Sequence, residues 1–435
     1  MKISKDIKIK AGKFRRDRRA FYSFALLVLM FVCTLPAELI CNTRPLLLVV
    51  DGKAHFPILI KYSEKDFGGA LPNEPDYLSN RFQRILSGQP ETLAKVESST
   101  KSHGSLDIDI GDFDEEEADE GIALGMEDFE EESSESFSLE LGDFEESETP
   151  AIERQTKAPV PQTIKSRDVW AIWPPVRYDY KYIPNESKTG KVVLAAPWKT
   201  ELGGVTYASS WEDGHYLGTD DRGRDILARL IYGLRISMFF GIALAFTGTL
   251  IGCLIGGTQG FFGGLVDLIG QRLTEIWGSI PRLYILIILS AFLTPSALIL
   301  FLILNLTAWM GIAAYIRAEF LKIRNFEFVK AAKALGVSNF EIMRRHILPN
   351  ALTPVVTFFP FEVTAGILAL VSLDYLNLGV PSPAPSIGEL LAQGKTNLQA
   401  TWIILPTFTI LTLTITLLTF VGEGIRNAFD PRRNA

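Results

Sequence analysis

Cysteine and histidine are scarce in this chain of 435 residues, which contains three cysteines and four histidines. Cys33 and Cys253 lie inside long apolar runs and Cys41 lies at the edge of one, so the sequence supports no disulfide framework. The histidines are scattered without the spacing that metal ligands require. We therefore predict no metal site and no fold held together by disulfides.

A nucleotide-binding motif is also missing. Residues 388–396, GELLAQGKT, superficially match a phosphate-binding loop, but one residue too many separates the two glycines and no buried strand precedes them. We therefore predict that the chain has no catalytic residues and binds no cofactor. Any ATP that drives its function is expected to bind to another chain.

Long uncharged runs, by contrast, are abundant in the C-terminal half. Ser296 to Ile316 carries no charge over 21 residues, and a membrane-spanning helix needs about 20 such residues at about 1.5 Å each. The stretch 273–316 is too long for one crossing and is interrupted at residues 294–296, which predicts a helical hairpin. With these two arms, five spans are predicted, the others being 236–262, 347–373 and 401–421.

The run 21–40 near the N-terminus predicts a sixth span. It follows nine Lys or Arg residues within the first nineteen positions. A cleaved signal peptide is the alternative, but Leu39, Ile40 and Cys41 lack the small residues that cleavage requires, so an uncleaved span is favoured. Loops rich in Lys and Arg stay in the cytoplasm. With six spans, this rule places both termini and the Lys- and Arg-rich residues 317–345 in the cytoplasm.

Residues 41–230, between the first two predicted spans, are long enough for a small extracytoplasmic domain. The runs 45–50 (PLLLVV) and 55–60 (HFPILI) are strand-like, and 169–211 is rich in Trp, Tyr and Pro. We expect these parts to pack together. The predicted fold class is an all-α polytopic membrane protein of six transmembrane helices, with this small mixed domain inserted between the first and the second.

The predicted domain is interrupted by an acidic segment. Residues 101–150 contain 20 acidic residues and one Lys, whereas the whole chain has a net charge of only −7, so the remainder is net positive. Low hydrophobicity and charge of one sign predict disorder over about 91–165. A solvated tether and a strip that binds cations or a basic partner both stay open as roles.

The predicted divisions of the chain follow from these runs. They are a basic tail with the first span (1–40), the extracytoplasmic region (41–230), a membrane core (231–427) that includes a cytoplasmic loop (317–349), and a short cytoplasmic tail (428–435).

The stretch FVKAAKALGVSNFEIMRRHILPN, residues 328–350, covers most of this cytoplasmic loop. The small side chains of Ala331 and Ala332 allow a partner to approach closely, and Gly336 permits a sharp helix end. Ser338 is placed to cap a second helix, and Glu341 lies in the first turn of that helix, where an acid suits the helix dipole.

These intervals resemble the EAA loop of permease subunits of ABC importers. In that family the loop forms two short cytoplasmic helices that sit in a groove of the ATPase subunit. Lys330 stands where the motif has Glu, and His346 stands where many members have an aliphatic residue. A basic loop held only by lipid headgroups is the alternative, but it leaves the Ala, Gly and Pro positions unexplained. The resemblance implies these ATPase-coupling residues: Lys330, Ala331, Ala332, Leu335, Gly336, Val337 and His346.

Residues 215–234, HYLGTDDRGRDILARLIYGL, resemble a signature of dipeptide and oligopeptide permeases, and 260–267 and 386–399 continue the match. A narrower group, the Yej-type permeases associated with oligopeptides and microcin C, resembles this chain at residues 42–62, 66–69 (DFGG) and 172–175 (IWPP). The acidic segment departs from that group. The resemblance implies a non-catalytic subunit of a peptide importer in the bacterial inner membrane. Its implied partners are a homologous permease subunit, an ATPase subunit that binds ATP, an extracytoplasmic peptide-binding protein and membrane lipid, with no nucleic acid.

Two charged residues lie inside predicted spans, where charges are costly. Arg282 and Glu362 are candidates for the substrate pathway, and a structural ion pair, with Glu275 as one partner, is the alternative. Two other classes of protein stay open. They are a secondary transporter or channel, and a membrane-anchored extracytoplasmic binding protein.

Overall fold

A computed structural model of the protein describes residues 2–88, 167–185, 187–202, 204–293 and 296–429. The predicted disordered segment, 91–165, lies outside the described residues. The helices are α1 (Lys2–Arg16), α2 (Arg18–Thr34), α3 (Ala37–Ile40), α4 (Asn80–Leu86), α5 (Ile226–Phe262), α6 (Gly264–Gly278), α7 (Arg282–Phe292), α8 (Ala297–Ala308), α9 (Met310–Ile323), α10 (Glu327–Ala334), α11 (Asn339–Glu341), α12 (Leu348–Tyr375), α13 (Ile387–Thr396) and α14 (Thr401–Phe429). The strands are β1 (Leu47–Val50), β2 (Lys53–His55), β3 (Val169–Ile172), β4 (Thr200–Leu202) and β5 (Val205–Tyr207).

Within the described part of the chain, four helical stretches are long and apolar enough to span a membrane. They are Ile226–Phe262, Ala297–Ile323, Asn339–Tyr375 and Thr401–Phe429. These confirm four of the predicted spans and the membrane-spanning, mainly helical class.

The other two predicted spans are less regular than expected. The run 21–40 is not one helix, because α2 has 17 residues and ends before Pro36, which has no backbone N–H to continue the helix. The first arm of the hairpin is divided into α6 and α7 at residues 279–281, where Pro281 precedes α7. The count of six spans therefore stays a prediction.

Glycines on α5 allow close packing of the bundle. Gly248, Gly252 and Gly256 face α8 and α9, and a Cβ atom on Gly252 would lie 2.8 Å from the carbonyl oxygen of Trp309. That separation is too short for a methyl group. The helix backbones therefore approach so closely because these side chains are absent.

The strand-like run 45–50 packs against the segment 169–211, as expected. Strand β1 pairs antiparallel with both β2 and β3, and Val49 lies opposite Trp170. Phe67 and Phe82 are buried beneath this sheet. The run 55–60 is not a strand, because only His55 belongs to β2 and the chain then turns at Pro57, which cannot donate a ladder hydrogen bond.

Candidate functional site

The basic segment, residues 324–347, is a helix, a tight turn and a second helix. Helix α10 ends before Gly336, whose φ of +77° is a conformation that favours glycine. The Ser338 hydroxyl then accepts a hydrogen bond from the backbone N–H of Glu341 at 3.3 Å and caps the next helix. Both local signals predicted from the sequence are present.

The inner face of this segment packs against the chain's own spans. Val329, Ala332, Ile342 and Ile347 are buried in one cluster with side chains such as Phe320. Ala332 therefore makes its close approach inside the chain, whereas Ala331 is exposed. Val337 is half-buried against the same cluster.

The outer face of the basic segment exposes apolar side chains. Leu335 is 82% exposed and Phe340 is 71% exposed, and Phe328 adds a third apolar side chain on the same segment. They are accompanied by exposed cations, which are Lys330, Lys333, Arg344 and Arg345. Large apolar side chains exposed together on a soluble surface commonly mark a protein interaction site.

The segment is firmly attached to the bundle. The guanidinium of Arg324 donates hydrogen bonds to the carbonyl oxygens of Gly260 and Phe261 at 3.3 and 3.4 Å, at the C-terminal end of α5, where a cation is favourable. Next to it, Arg317 Nη2 donates to Asp267 Oδ2 at 2.7 Å and ties α9 to α6. These contacts fix the orientation of the exposed face.

The second helix of the segment is not a separate short helix, as the resemblance implies, but continues into a membrane span. A π-helical turn, Ile342–Ile347, connects α11 directly to α12, so one continuous helix runs from Asn339 to Tyr375. This turn lies immediately before Pro349, whose missing N–H group interrupts the α-helical bonding pattern. His346 lies in the turn, and its carbonyl oxygen accepts a hydrogen bond from the Asn350 side chain at 2.8 Å.

The two candidate pathway residues, Arg282 and Glu362, lie on different helices. Arg282 is the first residue of α7. Glu362 of α12 is half-buried and lines a small cavity of about 60 Å³ that also includes Thr249 of α5. Glu275 forms an ion pair with Arg272 at 2.7 Å. Substrate contact by Arg282 or Glu362 stays a prediction.

A buried ion network at the opposite end of α5 was not predicted from the sequence. It consists of Asp220, Arg224, Arg229 and Glu389, which we call the buried network. Arg224 Nη2 lies 3.0 Å from Glu389 Oε1, and Arg229 Nη2 lies 2.5 Å from Glu389 Oε2. Arg224 Nε donates to Asp220 Oδ2 at 2.7 Å. The network joins the loop before α5 to α13.

The sequence did contain a signal for this network. The charges of TDDRGRD lie directly before an apolar span, and Glu389 lies in the segment 388–396 that superficially matched a phosphate-binding loop. In the structure, that segment belongs to α13, where the Ser386 hydroxyl accepts a hydrogen bond from the N–H of Glu389 at 3.2 Å. Pairing these charges required knowledge that α5 and α13 are neighbours.

The membrane-spanning helices and the exposed apolar and basic side chains define a polytopic membrane protein with a surface suited to a protein partner. The family model for the inner membrane component of binding-protein-dependent transport systems matches residues 248–435. The peptidoglycan transport system permease protein YejE of Agrobacterium fabrum is 36% identical over 97% of this chain and 91% of its own length. The inner membrane ABC transporter permease protein YejE of Escherichia coli is 33% identical, covering 97% and 96%.

Other similar proteins match about half of the chain. The oligopeptide transport system permease protein OppC of Haemophilus influenzae is 34% identical over 55% of this chain and 80% of its own length. A chain from the structure of the inward-facing MetNI methionine ABC transporter aligns with a TM-score of 0.40 and 18% identity over 47% of this chain and 98% of its own. The chain belongs to the family of ABC transporter inner-membrane permeases. Family membership removes the secondary transporter, the channel and the anchored binding protein as alternatives.

Proposed function

We propose that this chain is the non-catalytic permease subunit of an ATP-driven importer for peptides or peptide-like compounds in the bacterial inner membrane. The names of its relatives, which refer to oligopeptide and peptidoglycan transport, support this class of substrate. It works with a homologous permease subunit, an ATPase subunit that binds ATP, and an extracytoplasmic peptide-binding protein. Both termini and the basic segment face the cytoplasm.

The exposed apolar face of the basic segment carries this proposal. Leu335 and Phe340 are almost fully exposed in the isolated chain, although burying each such side chain is worth about 1.5–3 kcal/mol. A groove on the ATPase subunit that accepts both gains about 3–6 kcal/mol before the cost of association. The surrounding cations favour a groove with an acidic rim.

The same geometry provides a route for the movement that transport needs. The helical stretch that begins at Asn339, beside the exposed Phe340, continues through the π-helical turn to Tyr375. A displacement at its docked end therefore shifts the span that contains Glu362. The two conformations of the ATPase pair would bias the orientation of this helix and so the side to which the pathway opens.

The experiment replaces exposed apolar side chains by acids. Leu335→Asp and Phe340→Asp are tested separately, because their exposure allows the change without disturbing the interior. Leu398→Asp is the matched control, since Leu398 is 73% exposed but lies between α13 and α14, away from the basic segment. Each chain is purified with its co-expressed ATPase subunit, and peptide uptake is measured in cells.

We expect Leu335→Asp and Phe340→Asp each to lower both the amount of co-purified ATPase subunit and the rate of peptide uptake by at least tenfold. Leu398→Asp is expected to leave both unchanged. Retention of the ATPase subunit by both test variants would refute the docking face. In a third outcome, the test variants lose the ATPase subunit but the unaltered chain takes up no peptide. That result would support the docking face and refute the substrate class.

A further inference from the structure

A second site lies where the mixed domain meets the membrane bundle. An open cavity of about 600 Å³ lies between residues 42–44, 74–77 and 179–182 of the domain and Glu38, Tyr232 and Arg235 of the bundle. We call it the domain cavity. Its volume falls within the range of small-ligand pockets, about 300–1,000 Å³. It lies at the end of α5 opposite the basic segment.

The walls of the domain cavity carry charges of both signs in pairs. Arg44 binds Glu74 with two contacts, at 2.6 and 2.7 Å, and Arg235 binds Glu38 with two contacts of 2.9 Å. These pairs are partly exposed, and such pairs are worth about 0–1 kcal/mol. The charged ends of a ligand can therefore replace one partner of a pair at low cost.

Tyrosines form the remaining walls. Tyr77, Tyr180, Tyr182 and Tyr232 line the domain cavity, and tyrosine offers both an apolar ring face and a polar tip. The Tyr182 hydroxyl donates to Asp76 Oδ2 at 3.1 Å. The Tyr77 hydroxyl, in contrast, is buried and has no hydrogen-bond partner among the described residues.

We propose that the domain cavity binds a short peptide in its dipolar form. The basic side chains Arg44 and Lys181 face the peptide carboxylate, the acidic side chains Glu74 and Asp76 face its ammonium group, and the tyrosine rings contact its body. A simple anion is disfavoured by the four acidic side chains, and an uncharged sugar makes no use of paired charges. This inference rests on the proposed peptide transport, and it adds a binding site on the domain face of the permease.

The test measures binding to the full-length chain in lipid nanodiscs by calorimetry. The probes are tri-alanine, tri-alanine with both ends chemically blocked, and glycerophosphoethanolamine, which carries the charges of a lipid headgroup. We expect saturable binding of tri-alanine and at least tenfold weaker binding of the blocked peptide and of glycerophosphoethanolamine.

Three variants locate the site. Arg44→Gln and Lys181→Gln each remove one charge from the domain cavity, and Lys199→Gln removes an exposed charge elsewhere in the same domain. We expect at least tenfold weaker tri-alanine binding for the first two and no change for the third. Thermal unfolding of each variant confirms that it is folded. Lys181→Gln is the substitution least expected to disturb the fold, because the Lys181 side chain is exposed.

The proposal is overturned if the folded chain shows no saturable binding of tri-alanine, or if the blocked peptide binds equally well. Tighter binding of glycerophosphoethanolamine would instead identify a lipid headgroup site and also overturn it. Failure of this proposal leaves ATPase association and peptide uptake unchanged. It is therefore distinguishable from failure of the proposed function.

Discussion

Replacing Glu389 by Gln is expected to destabilise the protein strongly. Glu389 is the only member of the buried network on α13. One of its carboxylate oxygens pairs with Arg224 and the other pairs with Arg229. Both guanidinium groups are almost completely buried. In Glu389→Gln, these two cations retain only Asp220 as a charged partner within the network.

The expected magnitude follows from this burial. Removing one partner of a buried ion pair costs about 3–5 kcal/mol, because the remaining charge stays buried and uncompensated. Gln keeps one acceptor oxygen, so we expect about 3 kcal/mol, which is a large part of a typical unfolding free energy of about 5–15 kcal/mol. Adding Arg229→Gln to Glu389→Gln is expected to restore part of the loss, because it removes one unpaired charge.

Glu341→Gln is the matched control. Glu341 also pairs with an arginine, Arg345 at 3.3 Å, but both side chains are largely exposed, so we expect a loss of only about 0.3–0.5 kcal/mol. The measurement is urea unfolding of the purified chains in detergent micelles. Equal unfolding midpoints for Glu389→Gln and Glu341→Gln would refute the argument that burial gives the network its importance.

Two further predictions concern other parts of the chain. Gly252→Ala is expected to destabilise the bundle by about 1–3 kcal/mol, because its methyl group meets the Trp309 carbonyl. Gly311→Ala, with no atom within 4 Å of the new Cβ, is expected to be neutral or stabilising in thermal unfolding. Burial raises the pKa of Asp213, but hydrogen bonds from Ser187, Thr189 and the Lys188 N–H outweigh it and leave the pKa below its ordinary value. The stabilisation from Asp213 is therefore present above the unfolded-state pKa and lost as the pH falls through the folded-state pKa. Unfolding midpoints between pH 6 and pH 3 are expected to fall less steeply for Asp213→Asn, and equal slopes would contradict this assignment.

Local signals in the basic segment predicted its turn correctly but not the direction of its side chains. Gly336 and Ser338 act through their own backbone neighbours, so their roles are readable from a short stretch of chain. Ala331 and Ala332 look equivalent in the sequence, yet one is exposed and the other is buried. Only the packing of α10 against the π-helical turn, Ile342–Ile347, distinguishes them.

The sequence by itself determined the membrane class, four spans and the helix–turn–helix form of the basic segment, because apolar run length, glycine geometry and helix capping are local properties. The tertiary structure alone determined the buried network and the domain cavity. Their members are separated by long stretches of chain, as Arg229 and Glu389 are, and ion pairing depends on distances of a few ångströms. Such distances are set only when helices and strands remote in sequence pack together.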